Sequence, residues 1–353
     1  MTNNIVKEDI QVILKAISKD VGQFEGKTVL ITGSSGFLGN YFIAVFDELN
    51  KNVFKKPCKV IAIDNYITGS KKGLLNKYDK NILFFKKDVC QKLKIKGPVD
   101  YIIHSAGIAS PVYYMRFPLE TIQVNTQGIQ NMLNLAKEKK SKSIVFFSSS
   151  EIYGDPAVVP TPESYKGNVS SIGPRSCYDE SKRLGETICM SYHQLFGTPV
   201  KIIRPFNVYG PGMKIDDFRV LPRFLSSALE GKTLPIHGNG LQTRTYSYIT
   251  DAIAGFFLVL LKGKSGQAYN IGNDKEEINL NNLAKAISDI FPKKVKVKKI
   301  PYPKTYPADE PNRRCPDISK AKKDLEFNPN ISLKDGIQRT IDWYKTEFYS
   351  KDY

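Results

Sequence analysis

The chain has 353 residues, 41% hydrophobic and 25% charged; this suits one large domain or two packed ones and excludes a disordered tail, a collagen and a coiled coil. A net charge of +17, from 52 Lys and Arg against 35 Asp and Glu, points to an anionic partner, but the basic residues lie in short scattered clusters such as 137–142 and 293–299, so solvated lysines are expected rather than a nucleic-acid face. Five cysteines without a C-x-x-C pair, and three histidines without ligand spacing, speak against a disulfide frame and a metal site.

Residues 1–26 read as a helical leader, because Ile10, Ile13, Leu14 and Ile17 share one face. The first residues lack the basic head and apolar core of a secretory signal, and the longest apolar stretch, Ala254–Leu261, is about half a membrane span. A cytoplasmic protein without a membrane segment is therefore expected. Lys27–Thr32 predicts a buried strand ending at a glycine loop. Similar apolar runs recur at 60–63, 82–85, 101–103, 144–147 and 200–203, with helix-like stretches notably at 120–139 and 178–196. Strands without alternation, separated by helices, predict a parallel sheet covered on both faces. Beyond Arg204 the loops lengthen; helices fit near 219–230 and 250–262, a strand fits 268–271, and 301–316 is a Pro-rich connector. The predicted class is α/β: a Rossmann-type doubly wound sheet over 27–204, rejoined by 268–271, and a smaller α/β substrate lobe over 205–345.

Three constellations carry chemistry. Gly33, Gly36 and Gly39 follow a strand and open a helix; without side chains the backbone can approach a pyrophosphate at the helix N-terminus. The spacing is G-x-x-G-x-x-G. The next strand ends at Asp64, whose carboxylate suits an adenine ribose and repels a 2′-phosphate, which favours NAD. Tyr178 and Lys182 stand at i, i+4 on one helical face, where an ammonium and a nicotinamide cation favour the phenolate. Ser148-Ser149-Ser150-Glu151 leaves a strand at the end of the sheet that faces the ligand crevice, so its hydroxyls can bond a sugar oxygen and its carboxyl can move a proton.

Together these motifs resemble the extended short-chain dehydrogenase/reductase superfamily of nucleotide-sugar epimerases, dehydratases and decarboxylases. Within it the chain is most similar to the UDP-glucuronate decarboxylases. The matching segments include Asp64–Gly69, Ala109–Pro111, Ser150–Pro156, Arg175–Arg183, Phe206–Pro211, Asp217–Val220, Gln242–Arg244 and Asp309–Asp317. Two positions depart from the family pattern, Gly212 where Arg is usual and Ile108 where Pro is usual; both fall near the expected sugar pocket.

The resemblance implies NAD as cofactor. Gly36, Phe37 and Leu38 would line the pyrophosphate, Asp64 and Asn65 the ribose, and Asp88 and Val89 the adenine. Gly33, Ser35, Gly39, Thr68, Gly69 and Ala106 complete the implied cofactor site. Tyr178 would take the 4-hydroxyl proton of the sugar, with Lys182 lowering its pKa, Ser149 and Ser150 beside it, and Glu151 handling a proton at C5. Pro111, Tyr114, Asn207, Arg219, Arg244 and Arg314 would bind a UDP-linked sugar, since guanidinium offers a permanent planar donor fork. The dehydratases place Asp before the Glu where this chain has Ser150, which favours decarboxylation over 4,6-dehydration or 4-epimerisation. A catalytically inactive binding protein is the remaining alternative. The resemblance also implies a homodimer built from the two long helices.

Overall fold

Six apolar runs become the parallel strands β1 (Thr28–Thr32), β2 (Lys59–Asp64), β3 (Ile82–Lys86), β4 (Tyr101–His104), β5 (Ser143–Phe147) and β6 (Val200–Pro205). They come from a computed structural model, which describes residues 4–70, 72–302 and 311–349. A seventh strand, Gln267–Ile271, joins the same sheet, whose order is Gln267–Ile271, β6, β5, β4, β1, β2, β3. Every pairing is parallel. All residues of β1, β4 and β5 are buried, which is why no alternation marks them in the sequence. The strand order reverses between β1 and β4, so a crevice opens beyond their carboxyl ends.

The helices cover both faces: α1 (Asn4–Ile17), α2 (Phe37–Asn52), α3 (Pro111–Arg116), α4 (Pro118–Gln123), α5 (Ile129–Lys139) and α6 (Ser176–Phe196). The single helix expected over 120–139 is instead interrupted by a π-helical turn, Val124–Gly128. The cause lies in α6, which packs so close that a Cβ on Gly185 would stand 2.7 Å from the Asn125 carbonyl oxygen. The widened turn brings Asn125 inward, and its Nδ2 donates to Ser181 Oγ at 2.9 Å.

The leader helix α1 is part of the body. Val6, Ile10, Ile13 and Ile17 are buried against α2 and the helix Ile249–Lys262. Asp9, fully buried on the same face, accepts hydrogen bonds from Tyr41 and Tyr248 and pairs with Arg339 at 2.8 Å. One carboxylate thus fastens the leader, the helix after the glycine loop and the C-terminal helix Leu333–Phe348.

The C-terminal lobe is held by short strand pairs. Thr243–Arg244 pairs with Ile278–Asn279 on one side and Arg313–Arg314 on the other. The second pair sets Arg244 opposite Arg314, and Arg314 reaches across to Glu151. Within the connector expected at 301–316, residues 303–310 lie outside the described residues.

Candidate active site

Gly33 adopts φ +69, and a Cβ there would fall 2.7 Å from the backbone of Ala106. The loop after β1 is therefore pressed against the exit of β4, and only glycine fits. Gly39 packs back on this loop; its Cβ would lie 2.1 Å from the Gly33 carbonyl oxygen. Asp64, at the end of β2, is oriented by backbone donors, Ser35 N–H at 3.0 Å and Tyr66 N–H at 2.7 Å. Asn65 reaches Asp88 at 3.5 Å.

Gly33, Gly36, Asp64, Asn65, Thr68, Gly69, Asp88, Val89 and Ala106 line one cleft at the switch point. Ser35, Phe37, Leu38 and Gly39 form the loop and first helical turn at its edge. The residues present fit a dinucleotide. The first N–H groups of α2 have no intrahelical acceptor, the approach is bare of side chains, and Ser35 Oγ is buried without a partner. We expect Gly39→Ala to abolish cofactor retention: the new methyl must displace main chain, so NAD content of the purified protein, measured after denaturation, falls to background.

The cleft continues to the second constellation. A Cβ on Gly107, which lines the cleft, would stand 3.3 Å from Lys182 Nζ and 3.7 Å from Asn125 Oδ1. Lys182 is buried and donates to the Phe147 carbonyl at 2.6 Å. Its Nζ lies 5.7 Å from the Tyr178 ring centroid. The Tyr178 ring stacks on Tyr114, with centroids 5.2 Å apart and planes 15° apart. Ser149 Oγ accepts from the Glu151 N–H at 3.2 Å, and its hydroxyl is near enough to the Tyr178 phenol to favour the phenolate. Ser150 is buried in the same turn, Ser150–Tyr153.

Burial pushes the Tyr178 phenol up to about 12; Ser149 and Arg219 pull it down, while Glu151 and Asp179 push it further up. Burial pushes the Lys182 ammonium down to about 7. Lys182 therefore binds fewer protons folded than unfolded between about pH 7 and its ordinary value of 10.5, and stability rises with pH across that window. A Lys182→Met variant lacks this slope. Its melting temperature relative to wild type is expected to fall as pH goes from about 7 to 10, read by paired thermal melts.

The third constellation is an ion cluster. Arg314 grips Glu151 with both prongs, Nη1 to Oε1 at 2.5 Å and Nη2 to Oε2 at 2.7 Å. Arg175 also donates to Glu151 Oε2. Arg219 is bidentate on Asp217, at 2.9 and 2.7 Å, and its charge reaches Tyr178. Arg244 donates to the carbonyls of Thr243, Asn312 and Pro311. Asn207, at φ +39, donates to the Thr245 carbonyl at 2.8 Å. Pro111 starts α3, two residues before Tyr113 and three before Tyr114. Each of the three predicted sugar-binding arginines thus has a protein partner. Three residues beside the chemistry escaped sequence reasoning: Gly107, Asn125 and Arg175. Asn125 falls on the buried stripe of its helix with Thr121 and Ile129, and a polar residue on such a stripe is a signal.

A bare-walled cleft at a switch point, running into a buried tyrosine–lysine pair, is the arrangement that a dinucleotide-dependent enzyme of the short-chain dehydrogenase/reductase type requires. The chain belongs to the NAD dependent epimerase/dehydratase family, whose pattern matches residues 29–272, and its cofactor is NAD.

Among its relatives, the chain is 40% identical over 311 residues to UDP-glucuronic acid decarboxylase 3 of Arabidopsis thaliana, covering 88% of this chain and 86% of the relative. It is 36% identical over 330 residues to UDP-glucuronic acid decarboxylase 1 of Danio rerio, covering 93% and 75%. Among solved structures, a dTDP-glucose 4,6-dehydratase of Streptomyces venezuelae with NAD bound superimposes with a TM-score of 0.79 at 26% identity, over 91% of this chain and 97% of the other. UDP-glucose 4-epimerase of Thermotoga maritima gives 0.78 at 26% identity, over 90% and 99%.

Proposed function

We propose that the protein is a UDP-glucuronate decarboxylase that forms UDP-xylose through a 4-keto intermediate. The observation that carries this reading is a carboxylate, Glu151, held by Arg314 beside the Tyr178–Lys182 pair, in a chain similar to decarboxylases along 88% of its length. Bound NAD supplies a reversible two-electron acceptor for C4 and a fixed positive charge. Tyr178 takes the 4-hydroxyl proton, and Ser149 favours the deprotonated oxygen it acts through. Lys182, with its Nζ 5.7 Å from the Tyr178 ring centroid, favours the phenolate in its charged form. Once C4 is a ketone, the C5 carboxylate is β to it. The C5–C6 bond breaks, CO₂ leaves, and the electron pair spreads over C5, C4 and the oxygen as an enolate. Glu151 then governs proton delivery to C5, and Tyr178 returns its proton when C4 is reduced. The sum is UDP-glucuronate plus a proton giving UDP-xylose and CO₂, with no net redox change.

The partner is a nucleotide sugar rather than a nucleic acid, and the product suits polysaccharide synthesis. Exposed Leu119, Ile122, Leu184 and Leu195 on α4 and α6 support pairing of these helices in a homodimer. The five free cysteines support a cytoplasmic location, and among the described residues no helix is long and apolar enough to cross a membrane. A 4,6-dehydratase or 4-epimerase is the second reading, favoured by the two solved neighbours above. Incubation with UDP-glucuronate, UDP-glucose and dTDP-glucose, with products read by mass spectrometry and NMR, decides between them. CO₂ and a UDP-pentose from the first sugar alone support decarboxylation; a 4-keto-6-deoxy product or an inverted C4 replaces it.

A further inference from the structure

The groups assigned to this chemistry sit on two separate elements. Tyr178 and Lys182 ride on α6, whereas Ser149, Ser150 and Glu151 ride on the turn after β5. The chain between them, 155–175, contains no helix or named strand, so it is a poor ruler for their spacing. Arg175 spans the gap. It is the N-cap residue of α6, and its carbonyl accepts the N–H groups of Tyr178 at 2.9 Å and Asp179 at 3.1 Å. Its guanidinium crosses to Glu151 and also lies 3.6 Å from Asp179 Oδ2 on its own helix. Arg175 and Asp179 are 4% and 5% exposed, so these charges face one another with little water between them.

We propose that Arg175, braced by Asp179, is a positioning residue that holds the Glu151 carboxylate in register with Tyr178 and Lys182. The inference rests on the decarboxylase reading above and adds a residue to it.

The hydrogen bonds give the strut its purpose. Glu151 Oε1 is held by Arg314 alone of the two arginines, whereas Oε2 is held by both. Arg314 comes from the other lobe and presents a planar fork that an anionic substrate group can also take. When it does, Arg175 keeps Glu151 in place. Arg175, Arg314, Glu151 and Asp179 together carry no net charge. Deleting Arg175 leaves this cluster with two carboxylates and one guanidinium. The groups facing Tyr178 are Ser149 and Glu151 from the turn, Asp179 and Lys182 from α6, Arg219 from the segment after Asp217, and Tyr114 from α3. Glu151 and Asp179 both raise its pKa, so losing the cation that faces them moves the phenol upward.

The test compares wild type with Arg175→Met, Arg175→Lys and Asp179→Asn, using UDP-glucuronate as substrate. Arg175→Met keeps the apolar stem without the guanidinium, so its NAD content and KM are expected within about threefold of wild type, while kcat falls on the order of 100-fold. The lower limb of its pH–rate profile moves up by about one unit, and in Asp179→Asn it moves down. Arg175→Lys recovers about tenfold of the lost rate. A folded Arg175→Met protein with unchanged kcat and pH limb overturns the inference. So does a large rise in KM at constant kcat, which makes Arg175 a substrate ligand. A wild type that holds NAD yet makes no pentose nucleotide removes the decarboxylase reading and this inference with it; equal turnover by wild type and Arg175→Met removes this inference alone.

Discussion

Replacing Tyr178 by Phe is expected to lower kcat by about 10³-fold, while KM for UDP-glucuronate and NAD content stay close to wild type. The substitution removes one oxygen from a ring that stays packed. Tyr178 is stacked at 5.2 Å on Tyr114 and is 5% exposed, and a phenyl ring keeps that contact. Ser149 retains its bond from the Glu151 N–H, so the fold survives. What disappears is a phenol oxygen that Ser149 biases toward the phenolate, on a ring whose centroid lies 5.7 Å from Lys182 Nζ. Initial rates with NMR product identification measure the effect. A kcat within tenfold of wild type would sink the assignment of Tyr178 as the proton acceptor.

How far the sequence foretold this site depends on which partner each residue needed. The glycine loop, Asp64 and the Tyr178–Lys182 pair were legible because their geometry is local: a strand end, a helix start, one helical turn. The buried strands were legible because β1, β4 and β5 are apolar without alternation. The π-turn at Val124–Gly128 was not, since it answers to the close approach of Gly185 from a helix about sixty residues later. Periodicity gave α1 its apolar face but not Asp9, whose partners Tyr41, Tyr248 and Arg339 lie 32, 239 and 330 residues away. The arginines show the same limit. Residue type announced an anion for each, but type does not say whether that anion is a ligand or a carboxylate of the chain. Arg314 spends both prongs on Glu151, 163 residues earlier, and Arg219 spends its own on Asp217, two residues earlier. Arg175 went unread for the converse reason: it stands three residues before Tyr178, and nothing local marks it as reaching back to Glu151.

That cluster makes Glu151→Gln the second large effect, on stability and turnover together. The amide keeps the shape of the carboxylate but not its charge, leaving Arg175 and Arg314, 4% and 5% exposed, with Asp179 as the carboxylate left in the cluster. Removing a carboxylate from this buried charge cluster costs about 3 kcal/mol, so the melting temperature is expected to drop by several degrees. Turnover falls by about 10²- to 10³-fold, because proton delivery at C5 loses its carboxylate. In deuterated water, wild type places deuterium at C5 in one configuration, and the variant loses that stereochemical control. The two losses have different causes, and a second substitution separates them. Glu151→Gln with Arg314→Gln removes a cation together with the carboxylate and lets two amides bond each other, so much of the lost melting temperature returns while turnover stays low. If the double variant regained activity along with stability, Glu151 would be a structural counter-ion and not a participant in the proton transfer.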